Sequence, residues 1–155
     1  MRLLFGQDDA VAGWVAARIP HVGDLGFGAC KAIGVVGASG VLAAGLVYHD
    51  YQPRARTIQL SMAADSPRWA TKQVIRLLLF YPFEELGLNK VWTATPHTNT
   101  RALKFNKGVG FVQEGVLRHQ FGPGEHAVIC GMLRKDYLRL VERLTHGQAQ
   151  STKAA

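Results

Sequence analysis

The chain has 155 residues, 48% of them hydrophobic, enough for one compact domain that needs neither metal nor disulfide staples. Its formal charge of +7 favours anionic company, whether an acidic protein, a nucleic acid or a phosphate-rich cofactor, without choosing among them. Cys30 and Cys130 stand far apart with no CxxC, CxxH or HExxH pattern, which argues against a zinc site or a redox pair, and no apolar run approaches the ~18 residues that span a bilayer.

In chain order, residues 2–6 read as a short first strand. The apolar start resembles a leader, but Gly6-Gln7-Asp8-Asp9 interrupts it too early, so no secretory segment is expected and the thiols fit a cytoplasmic protein. Asp8 or Asp9 can cap a helix in which Val11, Trp14, Val15 and Ile19 keep helical spacing, and Pro20 closes it. Residues 21–29, containing Asp24-Leu25-Gly26-Phe27-Gly28, favour an ordered loop able to line a pocket. Two apolar, β-branched runs, 31–36 and 41–49, flank Gly37-Ala38-Ser39-Gly40 as an antiparallel hairpin. A fourth strand follows at 57–62, where Ile58, Leu60 and Met62 alternate with Thr57, Gln59 and Ser61.

Ser66 as N-cap and Pro67 in the first turn predict a long helix with an apolar stripe of Ala70, Val74, Leu77, Leu78 and Tyr81. Pro82 should bend its last turn and Gly87 should cap it, ending the helix near Leu86. A fifth strand at 90–95, a short helix at 99–109, a hairpin of 116–121 with 127–133 around Gly122-Pro123-Gly124, and a last amphipathic helix marked by Tyr137, Leu140, Val141 and Leu144 complete the order. Seven strands and four helices in this sequence imply a mixed, twisted α/β sheet with helices on both faces. Residues 1–147 are read as one domain and 148–155, small and polar, as a disordered tail.

The late cations, Arg101, Lys104, Lys107 and Arg118 and then 134–143, are diluted by Asp136 and Glu142 and have few aromatics among them. They suit a solvated helix face, which disfavours a nucleic acid as partner.

Residues 99–118, which include Asn99-Thr100-Arg101, Gly110-Phe111 and Glu114-Gly115-Val116-Leu117-Arg118, closely resemble a signature of the GNAT acetyltransferase superfamily. Residues 76–91, with Leu86-Gly87 between helix and strand, and 126–133 resemble the same family's long helix, fifth strand and closing strand. The resemblance covers 66–133 by motif and the earlier strands by element order. It is most like the branch that holds the ribosomal-protein N-terminal acetyltransferases.

The resemblance implies a GNAT-like fold, acetyl-CoA as co-substrate, no metal, and direct transfer of acetyl from the thioester to a primary amine on a small molecule or a protein N-terminus. A monomer or homodimer is expected. A degenerate domain that binds coenzyme A or an acidic partner without turnover is the alternative, because the family's Gln/Arg-x-x-Gly-x-Gly/Ala phosphate loop is here Asp65-Ser66-Pro67-Arg68-Trp69-Ala70-Thr71, without glycines. A helix start still offers unpaired amides to a pyrophosphate, and Arg68 and Thr71 can add a charge and a hydroxyl. Cofactor contacts are therefore expected from Leu60, Ser61 and Met62 through backbone amides, from Arg68, Trp69, Ala70 and Thr71 at the helix start, and from Asn99, Ala102, Phe105 and Asn106. Asn99 serves equally as a helix cap and Phe105 equally as core.

The tyrosine acid usual in this helix is replaced by Asn106, so the thiolate, with a pKa of about 8.5 for a free thiol, is left to water. His97 and His49 are the candidates for general base, with Asp50 beside the latter. Phe27, Tyr48 and His49 are the expected lining of the acceptor site. Where the branch often has Asp and Tyr in its closing strand, this chain has His126 and Cys130.

Overall fold

The computed structural model describes residues 1–153, with side chains described as far as Gly147. Among the described residues the order of seven strands and four α-helices is the one the sequence predicts. The chain divides into two compact units, Met1–Leu78 and Leu79 onward.

In the first unit, β1 (Arg2–Leu4), β2 (Cys30–Val36), β3 (Leu42–Gln52) and β4 (Thr57–Ala64) lie side by side in chain order, each antiparallel to the next. Helix α1 (Asp8–Ala16) sets Val11 and Val15 onto Ala32 of β2 and Val47 of β3, all buried. It can come this close because Gly34 and Gly45 sit opposite each other across β2 and β3. The expected cap is not made by Asp8 or Asp9: the helix begins at Asp8 without a side-chain cap, and Asp8 Oδ1 accepts instead from the Ala32 amide at 2.8 Å. This fastens the helix to β2.

The helix expected from Ser66 is broken in two because the chain offers two capping hydroxyls and uses both. Ser66 Oγ accepts from the Arg68 amide at 3.3 Å and caps a single 3₁₀ turn, Pro67–Trp69. Ala70, at ψ 54°, leaves the helical region, and Thr71 Oγ1 accepts from the Val74 amide at 3.2 Å to open α2 (Lys72–Phe80).

In the second unit, β5 (Lys90–Pro96), β6 (Val112–Gly122) and β7 (Glu125–Leu133) are antiparallel with β7 in the middle, joined by α3 (Thr100–Val109) and followed by α4 (Arg134–Lys153). Pro82, lacking an amide, turns the segment Tyr81–Glu85 into a π-turn in which the Leu86 amide reaches Tyr81 O at 3.0 Å. Gly87 follows with φ 62°, as a helix-ending glycine should. The π-turn is held from the other side: the fully buried Phe83 stacks on Tyr137 of α4 with centroids 4.6 Å apart, and Arg134 donates to the carbonyls of Phe83 and Leu88. Helix α4 continues to Lys153, past residue 147 where the domain was expected to end. Of the tail expected at 148–155, the last two residues lie outside the described residues.

Candidate functional site

Successive residues on a strand point to opposite faces, so His49 and Asp50 could not normally meet. A register shift in β3 between His49 and Gln52, with Asp50 at φ 51°, brings both to one side. His49 Nδ1 donates to Asp50 Oδ2 at 3.0 Å, and its Nε2 lies 2.8 Å from Ser61 Oγ on β4. A carboxylate only accepts, so the proton sits on Nδ1 and Nε2 offers its lone pair to the serine hydroxyl. His49 is 7% exposed. Burial pushes its pKa below the usual histidine value, with the charge and hydrogen bond of Asp50 opposing part of that shift. The result is a neutral imidazole, correctly protonated to take a proton through Ser61.

Phe27, half-buried, places its ring 4.9 Å from that of His49 and belongs to the apolar set around α1. Tyr48 does not join them. It is 1% exposed and its hydroxyl donates to Leu78 O of α2 at 2.6 Å, so the expectation that it lines an acceptor pocket is corrected: it is core, on the opposite face of β3 from His49. Leu60, paired with Tyr48 across the strands, is buried likewise, and Ser61 and Met62 are half-buried.

At the α2 start, Trp69 is buried and cannot face a phosphate, a second correction. Ala70 is half-buried in the bend. Arg68 and Thr71 are exposed, and with Lys72 they bring two cations and a capped helix start together.

In the second unit, Asn99 is the N-cap of α3, its Oδ1 accepting from the Ala102 amide at 3.1 Å. Ala102 and Phe105 are half-buried. Asn106 is buried and its Nδ2 points to Thr93 Oγ1 and Thr95 Oγ1 of β5 at 3.5 and 3.4 Å, which makes it a bolt between helix and strand instead of a cofactor contact. His97 stands in a row of three imidazoles with His126 and His119, with neighbouring rings 4.9 Å apart. Each Nδ1 accepts from a backbone amide: His97 from His126 at 3.2 Å, His126 from His119 at 2.9 Å, His119 from Gly124 at 2.7 Å. This row organises the β6–β7 hairpin, and it occupies the nitrogen of His97 that a base would share with a partner. Burial, then the charges of His97, His119 and Arg118, lowers the pKa of His126.

Of the two candidate bases, then, His49 has the geometry of one and His97 that of a hairpin clamp. Sequence reading took Ser61 only for its backbone and missed the imidazole row, because a bulge and a fold-back over 97–126 leave no local pattern. Burial raises the pKa of both thiols, further raised at Cys30 by Asp8 and Asp9 and at Cys130 by Glu114, so neither is an activated nucleophile. Among the described residues no group of three or more His, Cys, Asp or Glu side chains is placed to hold a metal ion, and no helix is long and apolar enough to cross a membrane.

The spermidine N-acetyltransferase SpeG of Vibrio cholerae, solved as a point mutant, superposes with a TM-score of 0.69 over 89% of this chain and 98% of its own, at 16% identity. The fold is that of the GNAT acetyltransferases. A chimera of SpeG with hSSAT gives a TM-score of 0.63 at 22% identity over 77% of this chain and 74% of that one. A structure titled putative acetyltransferase from T. thermophilus gives 0.65 at 22% over 77% and 66%. At these identities the likeness is one of fold. No protein-family model matches the sequence, and no curated protein does.

Proposed function

We propose that the chain is an N-acetyltransferase that moves acetyl from acetyl-CoA to a primary amine, with Asp50, His49 and Ser61 as its proton path. The hydrogen-bonded line from Asp50 Oδ2 through both nitrogens of His49 to Ser61 Oγ carries the reading. An amine attacks only after losing a proton, and a neutral imidazole with a free lone pair is suited to accept it near neutrality. Ser61 passes that proton inward, and Asp50 stabilises the imidazolium as it forms. Direct transfer agrees with two cysteines whose thiols are held protonated.

The α2 start fits the pyrophosphate of coenzyme A despite its missing glycines. The nine-residue helix presents its positive end beside Arg68 and Lys72, and its first turn is ordered by Thr71. Coenzyme A supplies the activated acetyl group, and the β4 backbone at Leu60, Ser61 and Met62 is the part of this unit assigned to its arm. The contacts that the family resemblance implies for Asn99, Ala102 and Phe105 belong to the same proposal. The acceptor is assigned as an amine. SpeG is named for spermidine, and the sequence resemblance points to a protein N-terminus.

The test is a thiol-release assay with acetyl-CoA against spermidine, N-terminal peptides of ribosomal proteins and an aminoglycoside. Turnover is expected with one class, and His49→Gln should lower kcat by about 10²–10⁴ while leaving acetyl-CoA affinity unchanged. Stabilisation by coenzyme A without transfer to any amine would establish the degenerate alternative, and full turnover in His49→Gln would remove the proton path.

A further inference from the structure

The second unit contains a cavity of about 810 Å³ between α3, α4 and the facing ends of β6 and β7. It shares no residue with the Asp50, His49 and Ser61 line. Its floor is apolar: Phe111, Leu140 and Cys130 are each under a tenth exposed, and Leu103 closes one side. Its rim is cationic. Lys104 and Lys107, three apart on α3, face Arg139 and Arg143, four apart on α4, a spacing that puts each pair on one helix face.

These cations are not spent within the chain. Arg143 Nη2 donates to the carbonyls of Gly108 and Val109 at 3.2 and 3.3 Å, which holds it across the end of α3 without neutralising it. The acid on the rim, Asp136, uses Oδ2 to accept from the Leu133 amide as a cap for α4. Among the described residues no carboxylate forms an ion pair with Lys104, Lys107, Arg139 or Arg143. Four like charges around an apolar floor repel one another unless an anion lies among them. A hydrophobic floor of this size is what a drug-sized ligand fills.

We infer that this cavity binds an amphipathic small-molecule anion, an apolar chain or ring bearing a carboxylate or phosphate, with its body on Leu103, Phe111 and Leu140 and its charge between the lysines and arginines. Both halves of the ligand are needed. A simple anion would leave the floor wet, and an apolar molecule would leave the four charges unrelieved.

The experiment is a fluorescence titration of the full chain with 8-anilinonaphthalene-1-sulfonate, followed by displacement. One saturable site is expected, with decanoate and decyl phosphate displacing the probe while decanol and inorganic phosphate compete poorly. The double variant Lys107→Glu with Arg139→Glu, both exposed side chains, should weaken binding about tenfold or more with circular dichroism unchanged. In a Cys30→Ser background, Cys130 is the remaining thiol, and decanoate should slow its reaction with Ellman's reagent. Equal displacement by decanol or by inorganic phosphate overturns the inference, as does undiminished affinity in the charge-reversed variant. Displacement by a polyglutamate peptide but not by decanoate assigns the cavity to an acidic protein and overturns it too. Loss of acetyl transfer bears on none of these readouts.

Discussion

Alanine at position 45 tests how α1 is seated. The Cβ it adds would stand 2.6 Å from Val15 Cγ2 and 3.2 Å from Val11 Cγ1, against about 3.5–4.0 Å for carbon atoms at rest. Relief needs a shift of about 1 Å, and neither valine has room for it, since both are fully buried and valine has little χ1 freedom. Overpacking of this kind costs about 1–3 kcal/mol. In a chain of this size that is a fall in Tm of roughly 2–4 °C per kcal/mol. The Val15→Ala variant alone should lose about 2 kcal/mol through burial forgone and a small cavity.

Combined, the two substitutions should compensate, because the methyl added at 45 enters the space Val15 vacates. Urea unfolding followed by tryptophan fluorescence should give a coupling energy of about 1–2 kcal/mol in the compensating direction. Phe27 packs on the same cluster and lies 4.9 Å from His49, so Gly45→Ala should also lower turnover and the double variant should recover part of it. Additivity within about 0.5 kcal/mol would mean that α1 is free to slide and that the glycine pair is not its seat.

The pH profile of turnover should fall toward acid with its limb below the ~6.5 of a free histidine, because the folded pKa of His49 is lowered, and His49→Gln should abolish that limb. The same shift links to stability: a base disfavoured as a cation in the folded state contributes fully above about pH 6.5, and the contribution is lost as pH falls through the folded value. His49→Gln should therefore flatten the dependence of the urea midpoint on pH below that point. For the imidazole row the sign is the same at His126. Protonation removes the Nδ1 lone pair that the His119 amide uses, so hydrogen exchange at that amide, corrected for intrinsic rate, should accelerate as pH drops below about 6.5. Asn106→Leu strips Thr93 and Thr95 of a buried partner and should cost about 1–3 kcal/mol in thermal or urea unfolding.

What could be read from the chain was local punctuation. Asn99 before a helical stripe and Gly110 after it bracket α3 correctly, with Gly110 at φ 121° accepting no other residue comfortably, and Pro82 with Gly87 marks the end of the second helix. Where two signals competed, reading failed: Ser66 and Thr71 are both good caps, and only packing of Trp69 into the core decides that the first serves a single turn. The proton path depends on the bulge that carries β3 three residues past His49 to Gln52, and Asp50-Tyr51-Gln52-Pro53 reads as an ordinary turn. Tyr48 and His49 look alike as adjacent polar aromatics. The face each occupies separates them, and that is set by register with β4.

A buried histidine bonded at both nitrogens is most simply a satisfied core residue, so the case for chemistry must rest on what differs from that. The two ends of the line differ in exposure. Asp50 keeps 62% of its side chain in water while His49 is 7% exposed, and Ser61 is half-buried at the other end. A network built only to satisfy the imidazole gains little from an exposed carboxylate, whose bond is weakened by solvent, and it would not repay a non-glycine residue at φ 51°, which costs of order 1 kcal/mol. A proton path gains from both features. The proton accepted from Ser61 leaves Nδ1 at a carboxylate already in contact with water, so His49 returns to its neutral form without opening the sheet that buries it.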